Sequence, residues 1–368
     1  MGGHTLGTPL PKESSRAIRE ALIAATGGAR DLVATSDRLS QWLTSRLGEP
    51  AVVVDLRPPD GAGIANETWL VDADVAGRRE RLVFRVRPSA IELFPDPDFA
   101  ALFRLLKALG DGGHVRVPEA LWLEEDHEVL GSPFLVMRLL DGRVPVTEPP
   151  YASVGWVAEG SVEQRRRLWT SAVEELARIH LVPGEAVSFI GWPRFGTTGE
   201  DQQLGYWAHY RDWSGVPVSD EMAELAAWVE SERPHEPGIA LSWGDARLGN
   251  MIFGADYGLQ GVLDWDQMSL AGPRHDLAWW LLFEEMNTTY KGVARPEGFG
   301  NRDETIELWE ARTGLEAGDL SWHEAFTTYK LALITLHMLR LAGTPDRAEA
   351  SAGFIAELGR VAAGLSRA

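Results

Sequence analysis

Three polar side chains follow one another within a short segment of the sequence. Asp245 and Asn250 enclose four residues in WGDARLGN, and Asp264 comes fourteen residues after Asn250 in GVLDWD. The apolar runs at 251–253 and 261–263 beside them are suited to two short strands. We therefore expect each polar side chain to lie at the edge of a strand, where it is held rigidly and still reaches a cleft.

These residue types suit the transfer of a phosphoryl group. That reaction needs a carboxylate for the attacking hydroxyl, oxygen ligands for Mg²⁺ at the phosphates, and a cation that offsets the charge of the transferred group. Because Mg²⁺ prefers carboxylate and amide oxygens and keeps some waters, one carboxylate with one amide is a typical protein contribution. Asp-x4-Asn followed by Asp supplies this set. Taken singly, each residue could equally belong to a capped turn or a strand end.

The spacing resembles the catalytic loop of kinases and the metal-binding Asp that follows it. The wider text, LSWGDARLGNMIFG…GVLDWDQMSLAGPRHDLAWW, resembles the aminoglycoside phosphotransferase / choline-kinase-like family over about residues 36–290. The family pattern is roughly HGD-x4-N, then IDW(D/E), then G-P-x-x-DLA. The resemblance implies a catalytic base at Asp245, with Arg247 directed to the γ-phosphate. It implies metal ligands at Asn250 and Asp264, and an auxiliary or supporting metal residue at Asp266.

Two more residues belong to this comparison. Asp276 matches the family's Asp that braces the catalytic loop through backbone hydrogen bonds. Trp243 stands where the family usually has His, a mainly structural residue, and we expect the indole to replace it by packing.

The elements before this segment predict a small α/β lobe. Apolar alternation indicates strands at 51–57, 67–74, 81–87, 120–124 and 134–139, with turns at 75–80 and 127–133. Helical spacing indicates helices at 38–46, capped by Ser36 and Asp37, and at 99–109.

The rest of the chain predicts a mostly helical lobe. A capping box at Ser161 and Gln164 predicts a helix that runs to about His180. Further helices are expected at 221–231, 278–285, 301–313, 320–341 and 347–365. We divide the chain into an arm at 1–35, with a short helix at 14–25, a nucleotide-binding N-lobe at 36–140, and a C-lobe at 141–368 that carries the catalytic loop and acceptor site. With the resemblance, this organisation implies an α+β, bilobal protein-kinase-like fold.

The segments expected to bind the nucleotide have weaker sequence motifs. The run GAGIAN nearly forms G-x-G-x-x-G, but it precedes a strand and not a helix, which argues against a dinucleotide fold. A hairpin loop that covers phosphates through the backbone at Gly63 and Asn66 fits better, and a simple glycine turn is the alternative.

The resemblance also implies that two strands contact the nucleotide. Arg85, in LVFRVR, occupies the place of a Lys or Arg that contacts the α- and β-phosphates, with a surface arginine as the alternative. Its carboxylate partner would have to come from Glu92, Asp96 or Asp98. The main chain of the hinge strand would meet adenine at Val136, Met137, Arg138 and Leu139.

Charge and composition limit the partners. The chain of 368 residues has 35 Lys and Arg against 54 Asp and Glu, a net charge of −19, which disfavours nucleic acid. The excess of acid favours a cationic acceptor, with a role in solubility alone as the alternative. Weak candidates for gripping such an acceptor are Asp201, Asp212, Glu284 and Glu285. The absence of cysteine excludes disulfides and cysteine-ligated zinc. With no membrane-length apolar run and no apolar signal core, we expect a cytoplasmic protein that binds no membrane.

The sequence thus predicts a phosphotransferase that uses ATP (or GTP) and Mg²⁺ to phosphorylate a hydroxyl of a small molecule, with a cationic acceptor such as an aminoglycoside as the leading suggestion. A catalytically silent nucleotide-binding protein is the rival. An NAD-dependent oxidoreductase would rest only on the incomplete glycine pattern. The oligomeric state stays open.

Overall fold

A five-stranded antiparallel sheet forms the core of the N-terminal lobe in the computed structural model, which describes residues 31–59, 66–88, 92–234 and 239–365. The strands are ordered β1-β2-β3-β5-β4: β1 (Ala51–Arg57), β2 (Glu67–Val75), β3 (Arg78–Val86), β4 (Ala120–Glu124) and β5 (Phe134–Arg138). All five predicted strands are confirmed, with ends shifted by up to three residues. The predicted helix at 14–25 and Gly63 lie outside the described residues.

Two helices pack against this sheet. Helix α1 (Leu32–Leu47) begins earlier than predicted, because Asp31 and not Ser36 or Asp37 caps it, accepting the N–H of Val33 at 2.9 Å. Its Trp42 packs on the sheet aromatics with a ring distance of 5.0 Å to Phe134. Helix α2 (Phe99–Asp111) confirms the second predicted helix and is capped by Asp98. A short helix α3 (His127–Leu130) occupies the predicted turn before β5.

The C-terminal lobe consists of helices around one short hairpin. Its helices are α4 (Gly155–Ala158), α5 (Val162–His180), α6 (Gly184–Val187), α7 (Gly199–Ser214), α8 (Asp220–Ser231), α9 (Pro273–Asn287), α10 (Arg302–Thr313), α11 (Ser321–Leu341) and α12 (Pro345–Ala362), with 3-10 turns at Ser188–Ile190, Leu248–Asn250 and Thr289–Lys291. Strands β6 (Met251–Phe253) and β7 (Leu259–Val262) form the hairpin. The capping box at the start of α5 is present as predicted.

Helix α7 is the one long element that the sequence pattern did not predict. No helix was predicted over 199–214, but Trp207 and Trp213 both lie in α7, which is capped by Thr198. The helix opens with the polar run GEDQQ and contains Gly205, which weakens its helical pattern. Its buried side chains include the aromatic residues Tyr206 and Tyr210.

Two hydrophobic clusters place the hairpin at the junction of the lobes. One cluster lies between α1 and the sheet. The other runs from the apolar face of α2 through the helices of the C-terminal lobe and includes both strands of the hairpin. The segment with the three polar residues of interest therefore rests on a packed floor and faces the sheet. Within the described ranges, no helix combines the length and apolar character needed to cross a bilayer.

Candidate active site

The loop that carries Asp245 is braced by one buried carboxylate. Asp276, in the first turn of α9 and 1% exposed, accepts hydrogen bonds from the hydroxyl of Ser242 at 2.7 Å and from the N–H groups of Trp243 at 2.6 Å and Gly244 at 2.8 Å. These bonds hold consecutive backbone groups in one orientation, so the bracing role that the resemblance implied for Asp276 agrees with the geometry.

A histidine and a tryptophan complete this brace. His180, at the end of α5, lies 3.1 Å from the second oxygen of Asp276 through Nε2. The indole N–H of Trp309 donates to Nδ1 of His180 at 2.8 Å, which leaves the imidazole proton on Nε2, facing the carboxylate. All three side chains are buried. The sequence predicted His180 only as the end of a helix, and nothing in its spacing indicated these partners.

Trp243 does more than fill the place of the family's usual histidine. Its indole N–H donates to the backbone oxygens of Leu263 at 2.9 Å and Asp264 at 3.0 Å, and its side chain is fully buried. Asp264 has a φ of 58°, in the left-handed region that non-glycine residues rarely occupy. The indole therefore clamps a strained backbone position to the loop that carries Asp245, which a packing role alone did not anticipate.

Gly244 allows the loop to pass close to the same segment. Its φ is 92°, and an added Cβ would lie 2.1 Å from the backbone oxygen of Gln267. Only glycine satisfies both the conformation and the approach.

Asp245 is held by three donors. The amide nitrogen of Asn250 lies 2.7 Å from Oδ2, the indole nitrogen of Trp279 lies 2.8 Å from Oδ1, and Nε of Arg247 lies 3.0 and 3.1 Å from the two oxygens. The side chain of Asp245 remains 13% exposed. The carboxylate is thus fixed in orientation but still reachable. Sequence reasoning missed Trp279, and it placed Arg247 toward the γ-phosphate, whereas the structure places it on Asp245.

The two predicted metal ligands lie side by side. The backbone oxygen of Asn250 accepts the N–H of Leu263 at 2.8 Å, which brings Asn250 next to the turn at Asp264. Because the Asn250 amide nitrogen is bonded to Asp245, its amide oxygen is turned away from that contact, and it has no donor among the residues described. The side chain of Asp264 is 30% exposed.

Asp266 and Arg85 join the lobes at this point. Nη2 of Arg85 in β3 lies 3.1 Å from Oδ1 of Asp264 and also bonds Asp266. The amide of Asn66, at the entry to β2, donates to Asp266 at 2.6 Å. Arg85 is therefore not a surface arginine. Arg85, Asn66, Asp264 and Asp266, predicted from different segments, converge in one site.

The partner expected for Arg85 was wrong. Glu92 bonds Arg87 instead, at 2.7 Å from Nε, while Asp96 pairs with Arg194 and Asp98 caps α2. The sequence carried no signal for the observed partners, because they lie about 180 residues away along the chain.

The carboxylates of Asp264 and Asp266, which share Arg85, form a cluster that suits a cation. Burial raises the pKa of Asp266 to about 6, and the charge of Asp264 adds to this shift, while Arg85 and the Asn66 amide act against it. Two carboxylates with one guanidinium leave an excess of negative charge at pH 7. Two carboxylates and an amide oxygen form a hard-oxygen set that fits Mg²⁺. Within the described ranges, no group of three or more His, Cys, Asp or Glu side chains suited to a metal ion occurs.

The hinge strand agrees only in part with the prediction. Val136 and Met137 lie in β5 between β3 and β4, and their side chains are buried. The N–H groups of Arg138 and Leu139 already donate to the backbone oxygens of Glu119 and Arg81, at 2.9 and 3.0 Å. These two N–H groups are therefore not free for adenine, and a main-chain contact would have to use other groups of this segment.

The carboxylates suggested for a cationic acceptor all have basic partners. Each of the four lies in a salt bridge with an arginine: Glu284 and Glu285 with Arg295, Asp201 with Arg233, and Asp212 with Arg211. Glu284 is also bonded by the hydroxyl of Tyr151 at 2.7 Å, and burial raises its pKa. Glu284 and Glu285 share Arg295, so this pair has one carboxylate more than it has cations, whereas Asp201 and Asp212 each have an arginine of their own.

Comparison with known proteins places this fold and site in a class. The family model described as the phosphotransferase enzyme family matches residues 57–315, well over half of the chain. A candidate aminoglycoside phosphotransferase of Ralstonia eutropha shares 23% identity with a TM-score of 0.67, covering 90% of this chain and 99% of that one. Aminoglycoside phosphotransferase APH(4)-Ia, solved with ADP and hygromycin B, shares 17% identity with a TM-score of 0.59, covering 89% and 99%.

The chain belongs to the phosphotransferase enzyme family and has its protein-kinase-like, α+β fold, which confirms the predicted family and fold class. Among curated proteins, it is 26% identical over 384 residues to acyl-CoA dehydrogenase family member 10 of Mus musculus, covering 96% of this chain and 33% of that protein. The chain spans about a third of the length of the first curated relatives it matches.

Proposed function

We propose that this chain transfers the γ-phosphoryl group of ATP, or of GTP, to a hydroxyl of a small molecule in a reaction that depends on Mg²⁺. The observation that carries the proposal is the fixed orientation of Asp245 beside Asn250 and Asp264. A carboxylate with three donors and an exposed edge is what a base for a bound hydroxyl requires.

In this mechanism Asp245 orients the acceptor hydroxyl and receives its proton. The hydroxyl oxygen attacks the γ-phosphorus while the bond from that phosphorus to the β–γ bridging oxygen breaks, so that the phosphorylated acceptor and the nucleoside diphosphate are formed. Arg85 would orient the phosphates from the sheet side. Asn250, Asp264 and Asp266 would hold Mg²⁺, which when bound offsets the negative charge of the phosphates.

The names of the curated relatives favour a second acceptor class. They are acyl-CoA dehydrogenases by name, and this chain matches about a third of their length. A phosphotransferase needs a hydroxyl, so the corresponding acceptor would be a hydroxyacyl compound, as a thioester or as a free acid. An aminoglycoside, suggested by the net charge of −19, remains the other class to be tested.

The test is an ADP-release assay with ATP and Mg²⁺ over aminoglycosides, amino alcohols, sugars and hydroxyacyl compounds, combined with calorimetric titration of the nucleotide. We expect Asp245→Asn to lower turnover at least a thousandfold and to leave nucleotide affinity within about threefold, because the base touches the acceptor and not the nucleotide. Asp256→Asn, at an exposed surface pair, is the control for loss of one negative charge.

Two outcomes would decide against the proposal. Unchanged turnover in Asp245→Asn would refute the assignment of the base. Nucleotide binding that requires Mg²⁺, with no transfer to any acceptor class, would favour a catalytically silent binding protein.

A further inference from the structure

One lysine close to the catalytic base has no polar partner. Lys330, in α11, is 4% exposed, and its ammonium lies 5.2 Å from the ring centres of Trp279 and Phe326 and 6.0 Å from that of Trp207. Aromatic faces attract a cation, but they accept no hydrogen bond of normal strength. Among the residues described, Lys330 has no hydrogen-bond acceptor and no salt bridge.

Such a side chain is costly to keep in a folded protein. An ammonium brings three donors toward the interior, and an unmade hydrogen bond of a charged group destabilises the fold. Burial lowers the pKa of Lys330 to about 8, and the charge of Asp276 only partly offsets this. The amine is therefore still mostly protonated at pH 7.

The nearest carboxylate is already occupied. Asp276 receives donors from Ser242, Trp243, Gly244 and His180, and it makes no hydrogen bond with Lys330. An ammonium that served mainly to neutralise Asp276 would be expected to contact it directly. Within the described residues, the donors of Lys330 thus have no hydrogen-bond partner from this chain.

The position of Lys330 connects it to the reacting group. The same Trp279 whose ring faces the ammonium donates its indole N–H to Oδ1 of Asp245 at 2.8 Å. Trp279 also stacks on Phe283 at 5.3 Å, and Phe283 faces the guanidinium of Arg247. One indole therefore separates Lys330 from the base, and the side chains packed on that indole are aromatic, with the guanidinium of Arg247 beside Phe283.

We propose that Lys330 binds an anionic oxygen group of the acceptor, a carboxylate in the first instance, so that the chain phosphorylates a hydroxy acid and not a polyamine. This inference rests on the proposed phosphotransferase function and narrows its acceptor. The four carboxylates once suggested for a cation each lie in a salt bridge with an arginine, although Glu284 and Glu285 share one, whereas Lys330 is a buried cation with no polar partner among the residues described. The aromatic side chains of α7, α9 and α11 would contact the apolar part of such an acceptor.

The experiment measures binding without turnover, so that it can fail independently of the proposed function. Saturation-transfer NMR measures ligand binding to the protein in the presence of Mg²⁺ and a non-hydrolysable ATP analogue. The ligands are hydroxy acids of graded chain length, their primary amides, and the matching amino alcohols. ADP release is followed in parallel with ATP. The variants are Lys330→Met, which keeps the aliphatic length, and the control Lys107→Met at an exposed i,i+4 pair.

We expect at least one hydroxy acid to bind tenfold or more tightly than its amide. We also expect Lys330→Met to abolish this preference and to leave the affinity for the ATP analogue unchanged. Its melting temperature should equal or exceed that of the wild type, because a buried uncompensated charge is removed. Lys107→Met should keep the preference.

Three results would overturn the inference. One is the absence of any preference for the acid over its amide in the wild type. Another is a preference for the amino alcohol, which would also restore the cationic acceptor. The third is a Lys330→Met variant that loses stability and turns over every acceptor equally poorly, which would make Lys330 a structural counter-charge of Asp276. In each case, transfer to some other acceptor would leave the proposed function standing.

Discussion

Replacing Trp243 by Phe tests whether the indole clamp stabilises the turn at Asp264, where we propose that Mg²⁺ binds. The substitution keeps an aromatic ring in a fully buried position but removes the only indole N–H that reaches the backbone oxygens of Leu263 and Asp264, at 2.9 and 3.0 Å. Leaving a buried acceptor unsatisfied costs about 1–3 kcal/mol, and the smaller ring leaves a void that adds about 1 kcal/mol. We therefore expect a loss of about 2–4 kcal/mol in the free energy of unfolding.

The functional effect should be larger than the loss of stability suggests. Asp264 sits at a φ of 58°, and without the clamp this turn can relax toward an ordinary conformation. We expect the Mg²⁺-dependent part of ATP affinity, measured by calorimetry with and without the metal, to fall at least tenfold. Urea unfolding followed by circular dichroism gives the stability. Trp213→Phe, at a ring that is 39% exposed, is the matched control.

The reasoning fails if Trp243→Phe unfolds at the urea midpoint of the wild type and keeps its Mg²⁺-dependent affinity, since the indole bonds would then contribute nothing. Loss of stability with unchanged Mg²⁺ dependence would refute only the link between the clamp and the metal site.

Two further predictions concern a glycine and a buried histidine. Gly244→Ala should lower the free energy of unfolding by about 3 kcal/mol or more and abolish phosphoryl transfer, because the added Cβ would meet the Gln267 oxygen at 2.1 Å. Gly77→Ala, also at positive φ but with free space around it, should lower the free energy of unfolding by only about 1 kcal/mol. Both values are measured by urea unfolding. His323 should destabilise the fold in acid: burial lowers its pKa from 6.5 to about 3, so the unfolded chain binds the proton first and stability falls as the pH drops below about 6.5. By pH 5 this loss is about 2 kcal/mol, at roughly 1.36 kcal/mol per unit over about 1.5 units.

Both predictions have a clear contrary result. Equal unfolding midpoints for Gly244→Ala and Gly77→Ala would show that the close approach at Gln267 is unimportant. For the histidine, the stability difference between the wild type and His323→Leu should change by about 2 kcal/mol between pH 7.5 and 5. A difference that stays constant over this range would mean that His323 titrates normally in the folded state.

The catalytic segment was predictable because its chemistry is local in sequence. Asp245, Asn250 and Asp264 lie within twenty residues, and the apolar runs beside them show the strands that position them. The strands of the N-lobe were predictable for a similar reason, since their alternation or β-branched runs appear within single segments. The structure brings the three polar residues together as the spacing indicated.

Partners that come from distant segments were not predictable. The hydrogen bond from Trp279 to Asp245 and the ion pairs of Arg85 with Asp264 and Asp266 depend on how helices and lobes pack. The residue pattern within one segment contains no information about that packing. Helix α7 was missed because its polar start and internal glycine weaken the amphipathic signal, although tertiary contacts of its aromatic residues stabilise it.

The pairing of Arg85 with Asp264 and Asp266 has a consequence for the order of binding. The guanidinium bonds the carboxylates that would hold Mg²⁺ in the proposed reaction, so it would compete with the metal for them. Phosphate groups would offer Arg85 an alternative partner and draw it away from these carboxylates. Metal and nucleotide should therefore bind with positive cooperativity, each raising the affinity for the other by the same factor.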